Sequence, residues 1–254
     1  MERYAQFFLT VNDGKWLIAR AVLELPCMKR ALASGKVILK GGTTVSCIAE
    51  LLLHYPLRIS GRLTQEGAMA SRHSTPQSYG LLIENGQYRG IDAEVDECML
   101  HMGPGDVVVT GANLIDSHGG AAALAGSPGG FRWGRATAAM ISEGADVIIP
   151  AGLEKLIPGS VIDSMKGARR KCVDRHDGMA CGLFPVIGTI ITEVEAIQTL
   201  ADVDVCIIGR GGIHGAEGGT LFQIHGEAEE VKRIEAITAQ CKNRKIGGDE
   251  NSLL

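Results

Sequence analysis

Three short runs of Val, Ile and Leu restrict this chain more than anything else in it, because each stops at glycine: KVILKGG at 36–42, DVVVTG at 106–111 and DVIIPAG at 146–152. Strands that are apolar at every position are buried on both faces, as in a parallel sheet covered by helices. Helical patterns stand between the runs: TVSCIAELLLH follows the first, AEVDECMLHM precedes the second and WGRATAAMISEGA precedes the third. Repeated strand and helix predict an α/β chain, a mostly parallel sheet with helices on both faces and right-handed crossovers. Asn85-Gly86, between YGLLI and QYRGI, predicts a hairpin turn and one antiparallel excursion.

The 254 residues fit one large core and a smaller lobe. From FPVIGTIIT onward the pattern reads strand, helix, strand, strand, helix, which predicts a small ferredoxin-like unit. The expected division is a main α/β domain over 1–180, a small α+β lobe over 181–245, and a loosely docked tail over 246–254.

Composition excludes several functions. A 45% apolar and 21% charged chain without a run of about 18 apolar residues is expected to be a soluble globule that neither crosses nor anchors in a membrane. The opening MERYAQFFLTVNDGKW lacks the long apolar stretch of a signal peptide, so a cytoplasmic protein is expected. A net charge of −4 argues against nucleic acid, and the basic run KGARRK reads as a solvated helix end. Seven cysteines without a CxxC pair predict reduced, buried thiols. Cys172, His176 and Cys181 lack a fourth ligand, so no metal is expected.

The chain holds 34 glycines, concentrated just after the apolar runs. Such placement means tight turns or close approach of backbone to a ligand. In LKGGTTVSC a strand delivers Gly41, Gly42, Thr43 and Thr44 onto a helix start, where free amides and the helix dipole favour an anion. Thr43 or Thr44 is the expected N-cap. A second candidate is DVVVTGANLIDSHGG, which would bring Gly111, Asn113, Asp116, His118, Gly119 and Gly120 to the crevice beyond the strand ends; its alternative is an Asx turn that only organises a loop. Lys155, after the third strand, could meet a phosphate or carboxylate, or be an ordinary polar residue beside Glu154. His73, with Ser71, Arg72 and Ser74, lies in a polar loop that could cover the crevice, and His214, with Arg210 and Glu217, could face it.

The order of these pieces resembles the superfamily that joins A-type ribose-5-phosphate isomerase, glucosamine-6-phosphate deaminase and the CoA transferases. VILKGGTTV is similar to the isomerase's strand and phosphate loop, VTGANLIDSHGGAAA to its later strand and glycine run, and GTLFQIHGEAEEVKRIEAI to a strand of its small lobe. TGANLID and GLEKLIP also resemble the lactate-utilisation branch. Thr110 and Asn113 stand where the isomerase has aspartates, so its own activity is not implied. IENG resembles the Ser-Glu-Asn-Gly of the CoA transferases and implies Glu84 as a nucleophile, although the hairpin explains Asn-Gly without catalysis.

These readings give three expectations. The first is an isomerase-like or transferase-like enzyme acting on a small phosphorylated or anionic metabolite, with Asp116 or His118 moving the proton and no cofactor. The second is an acyl-CoA transferase or hydrolase using Glu84, with a CoA thioester as substrate. The third is a metabolite-binding or assembly protein without catalysis. A homo-oligomer is expected in each case.

Overall fold

A computed structural model of the chain describes residues 1–71, 73 and 75–253. Arg72 and Ser74 of the expected covering loop lie outside the described residues; His73 is exposed and its carbonyl accepts from Arg58. The chain begins with strand β1 (Glu2–Leu9), helices α1 (Val11–Glu24) and α2 (Pro26–Ser34), strand β2 (Lys36–Lys40) and helix α3 (Thr43–Leu53). Then come β3 (Gly61–Thr64), β4 (Gly67–Ala70), β5 (Gly80–Glu84), β6 (Gln87–Gly90), α4 (Val95–Leu100), β7 (Val107–Thr110), β8 (Leu114–Ile115) and β9 (Ala121–Ala125). The middle continues through α5 (Phe131–Arg135), α6 (Thr137–Ser142), β10 (Asp146–Pro150), α7 (Val161–Gly167), β11 (Gly182–Pro185) and β12 (Thr189–Ile191). It ends with α8 (Glu193–Leu200), β13 (Val203–Gly211), β14 (Gly219–Glu227), α9 (Ala228–Cys241) and α10 (Glu250–Leu253).

The main sheet has six strands in the order β12-β10-β7-β2-β5-β6. The first four run parallel, while β5 lies antiparallel to β2 and β6 antiparallel to β5, so the sheet is mixed. The alternation of β2 shows why its three central residues are all apolar. Val37 and Leu39 enter a core shared with Trp16, Leu17, Val45 and Ile48 of α1 and α3, whereas Ile38 joins Val95, Met99 and Met140 of α4 and α6. Helices therefore cover both faces. The expected hairpin is present: Glu84 pairs with Gln87, and Asn85 and Gly86 both take positive φ, 51° and 71°, as a two-residue turn of this hand requires.

Residues 181–245 close otherwise than a ferredoxin-like unit would. β11 pairs with β9 and β12 with β10, while β13 and β14 form a separate antiparallel sheet whose far edge is β1, in the order β1-β14-β13. The pairing of β1 with β14 is unbroken from Glu2↔Glu227 to Leu9↔Thr220. It covers an edge that would otherwise present unpaired backbone groups.

The tail is a correction to the loose docking expected of it. The Trp16 indole Nε1 donates to the Lys245 carbonyl at 2.8 Å, and the Arg244 guanidinium stands 3.8 Å from the Trp16 ring centroid. Further on, Asp249 N donates to Leu57 O, and Ile59 N donates to the Oγ of fully buried Ser252. The polar look of KIGGDENSLL hides this, because the tail is held by hydrogen bonds to backbone groups and to the Glu50 carboxylate. Among the described residues no helix is long and apolar enough to cross a membrane.

Trp16→Phe keeps most of the packing and removes the indole donor, so a cost of about 1 kcal/mol is expected. Hydrogen exchange should speed up at residues 243–252 while the β2 and β7 amides stay protected; uniform acceleration would show that Trp16 serves the core and not the tail.

Candidate functional site

Parallel pairing brings the carboxyl ends of β2, β7, β10 and β12 to one edge of the sheet, with Lys40 in register with Thr110 of β7. The two glycines that follow β2 differ in kind. Gly41 N donates to the Tyr79 carbonyl, and a Cβ there would run into the carbonyl oxygens of Tyr79 and Arg58. Gly42 has nothing within 4 Å of the place a Cβ would take, and its φ of 169° is ordinary extended backbone. Gly41 is thus demanded by the fold, while Gly42 leaves an open flank.

Gly42 is itself the N-cap of α3, and no side chain caps the helix, which corrects the expectation that Thr43 or Thr44 does so. The first amide of this end with a protein acceptor is Ser46 N, bonded to Gly42 O. Among the described residues nothing accepts from the amides of Thr43, Thr44 and Val45. Thr44 is 2% exposed and Val45 0%, and the Thr44 Oγ1 is buried with no partner. Helix ends ordinarily leave such donors to water or a cap, and buried donors are nearly always paired.

A group of charges lies at the same edge of the sheet, on the α1 side. Lys15 of α1 and Glu193 of α8 are both buried, and Glu154 and Lys155 come from the 3-10 turn Leu153–Lys155 after β10. Two glycines make room for them: a methyl on Gly14 would meet the Glu193 carboxylate, and one on Gly152 would meet the carboxylates of Glu154 and Glu193. Glu193 Oε2 accepts from Leu153 N at 2.8 Å, and Arg210 donates to the Leu153 carbonyl. Burial, with the Glu154 charge adding to it, pushes the Glu193 carboxyl up to about 7. Burial likewise holds the Lys155 ammonium below its ordinary range, with Lys15 pushing the same way and Glu154 and Glu193 opposing. The Glu154 Oε2 is buried without a hydrogen bond. Among the described residues neither Lys15 nor Lys155 has a carboxylate within 4.0 Å. Lys15 also acts on Cys47, one turn into α3, where burial nevertheless pushes the thiol up to about 12 and leaves it inert.

The residues after β7 are differently employed. Asp116 Oδ1 accepts from His118 N at 2.9 Å and Gly120 N at 2.8 Å, and its Oδ2 from Val161 N at 2.8 Å. These bonds, to Val161 and Gly120 first, hold its carboxyl below the usual range. A Cβ on Gly120 would strike that carboxylate, and Gly119 takes a φ of 85° in the turn. Asn113 Oδ1 accepts from Leu124 N at 3.0 Å, and His118 is exposed. The Asx-turn alternative describes this loop. A groove of about 420 Å³ does run between the loop and the start of α8, lined by Asp116, Ser117, Gly119, Leu156, Thr192 and Glu195 among others.

Glu84 stands apart from all of these. It is exposed and pairs with Lys36, at the opposite edge of the sheet from Gly41. Gly111, half-buried, follows β7 at the carboxyl edge, and Lys155 is the one charged candidate that joins the group of Lys15, Glu154 and Glu193. His214 and Glu217 are exposed, with Glu217 accepting from Gly215 N. None of the seven cysteines is in a disulfide; Cys47, Cys98 and Cys241 are buried, Cys27 and Cys181 partly so, and Cys172 and Cys206 exposed, so burial holds for part of the set.

Lys15 and Glu193 were not singled out by sequence reasoning. Glu193 opens α8 and Lys15 follows the first turn of α1, each close behind a capping box, Thr192 with Glu195 and Thr10 with Asp13, where polar residues are unremarkable. The signal that could have found them is the glycine beside Lys15, in DGKW. No protein-family model, no curated protein and no solved structure matches the chain.

Gly41→Ala should cost about 1–3 kcal/mol through its clash with two carbonyls. Gly42→Ala should cost less than about 1 kcal/mol, the price of a poorer cap; equal losses in chemical denaturation would contradict the distinction. For Glu193 the raised pKa means the native state binds a proton that the unfolded chain, with an ordinary value of 4.5, releases earlier. The stability tied to that proton is fully present below about 4.5 and is lost as pH rises through about 7. Glu193→Gln should match the wild type at pH 4.5 and exceed it by about 2–3 kcal/mol at pH 8; a pH-independent difference in melting would refute a neutral Glu193.

Proposed function

We propose that this protein is an enzyme acting on a small anionic metabolite, whose phosphate or carboxylate rests on the amino end of α3 with Lys15 and Lys155 supplying charge. The observation that carries the reading is the buried end of α3, where the Thr44 and Val45 amides and the Thr44 hydroxyl have no protein acceptor. An anionic oxygen would satisfy these donors, and the helix dipole favours its charge. The open flank at Gly42 gives it a path in.

Glu193 is the proton carrier in this reading. A carboxyl with a pKa of about 7 can both accept and return a proton near neutrality, as isomerisation requires. Excluding water strengthens the pull of the two lysines on charge that develops on the substrate. The motif order that resembles the ribose-5-phosphate isomerase superfamily supports the same class of substrate, with the acid and base moved from the loop after β7 to the strand end at β12. Acyl transfer through Glu84 gains no support from an exposed hairpin at the opposite edge. A binding protein without catalysis would use the same anion site and leave its ligand unchanged.

The test is a thermal-shift panel of inorganic phosphate, sugar phosphates, small carboxylates and acyl-CoAs. A true ligand at about 100 times its Kd adds roughly 2.7 kcal/mol, or several degrees at about 2–4 °C per kcal/mol. Gly42→Val should abolish the shift and leave the melting point of the free protein within a few degrees. Glu193→Gln should keep the shift and lower deuterium exchange from solvent into the ligand by on the order of 10² or more. Absence of any shift, or a shift that survives Gly42→Val, would overturn the anion site; full exchange in Glu193→Gln would overturn the role of Glu193.

A further inference from the structure

Lys40 ends β2, and its side chain leaves the sheet on the side of Ile38, away from the face that carries Lys15 and Glu193. Over the residue as a whole it is half-buried. Its Nζ lies 5.9 Å from the ring centroids of both Trp133 and Phe184. Among the described residues no carboxylate comes within 4.0 Å of it.

Two glycines shape this niche. Gly80, in register with Lys40 on β5, has no side chain where Trp133 lies, and a methyl there would run into the indole. Gly130 does the same for Phe184, whose Cε1 is 3.0 Å from the place of its Cβ. The rings alone would favour the ammonium, by about 0.5–1 kcal/mol each at this range. Burial prevails, and the amine is pushed down to about 8.

We propose that Lys40 is a nucleophilic amine that forms an imine with a small aldehyde or ketone whose apolar part lies between Trp133 and Phe184. The nitrogen lone pair attacks the carbonyl carbon and a C–N bond forms. The carbonyl π pair moves to oxygen, which takes a proton from solvent to give the carbinolamine. Nitrogen then gives up a proton, the hydroxyl leaves as water after protonation, and the C=N bond closes with no change of oxidation level. A lysine without a counter-ion suits this step, because no carboxylate holds its nitrogen in the charged form. The inference stands apart from the anion site, since it uses the other face of the sheet and none of the same side chains.

The test is brief labelling of the wild-type protein with propanal and sodium cyanoborohydride near neutral pH, followed by peptide mapping. Lys40 should become propylated at least tenfold faster than exposed Lys166 and Lys171, and Lys40→Arg should remove the fast site without lowering the melting point. Trp133→Ala, which opens the niche, should bring the Lys40 rate toward that of the exposed lysines. Gly42→Val should leave the labelling unchanged, so that failure here is separable from failure of the anion site. Labelling of Lys40 no faster than that of Lys166 and Lys171 would overturn the proposal.

Discussion

The position of β2 between a parallel neighbour and an antiparallel one governs the rest of this structure. Its backbone is paired with β5 from Lys36 to Lys40 and with β7 from Val37 to Lys40, so the strand cannot slide or twist freely. The approach of β5 also brings the Tyr79 carbonyl to the strand end, where only a residue without a side chain can pass and donate to it. Gly41 fixes the direction in which the chain leaves. It sends α3 onto the α1 face and leaves the Lys40 side chain on the α4 and α6 face. One short strand thus sets both niches, each at its own surface of the same sheet edge.

Both niches are costly to the native state. A buried donor without an acceptor loses about 1–3 kcal/mol, and a domain of this kind holds only about 5–15 kcal/mol in reserve. The α3 end has two such amides and a hydroxyl, and the group of charges at the same sheet edge adds a glutamate that prefers its proton and a lysine held below its normal range. Two continuous apolar cores, one on each side of the sheet, offset the loss.

Much of the framework was legible because it rests on local patterns. KVILK, VVVT and VIIP read as strands buried on both faces, and Asn85-Gly86 reads as a turn whose backbone other residue pairs would resist. Long-range pairing was not legible. Nothing in ERYAQFFL names β14 as its partner more than two hundred residues away, and the polar tail gives no sign of the carbonyl that Trp16 reaches. The site divides along the same line. The glycine turn after β2 announces itself in sequence, whereas Lys15 and Glu193 become unusual only when α1 and α8 pack together and bury them.

That closure also decides where acid–base chemistry can reside. Asp116 looked suited to it in sequence, with glycines and a histidine beside it. Its carboxylate instead anchors three amides, and protonating it would weaken all three bonds and loosen the junction of β8, β9 and α7. A group that must stay ionised to hold the fold is a poor carrier of protons near neutrality. Glu193 is under the opposite constraint: burial and the nearby Glu154 charge outweigh its backbone hydrogen bonds and bring the charged and neutral forms close in free energy near pH 7. In the proposed reaction the proton therefore moves through the carboxyl that burial has made indifferent, and the carboxylate that hydrogen bonding has fixed keeps the loop beside it in place.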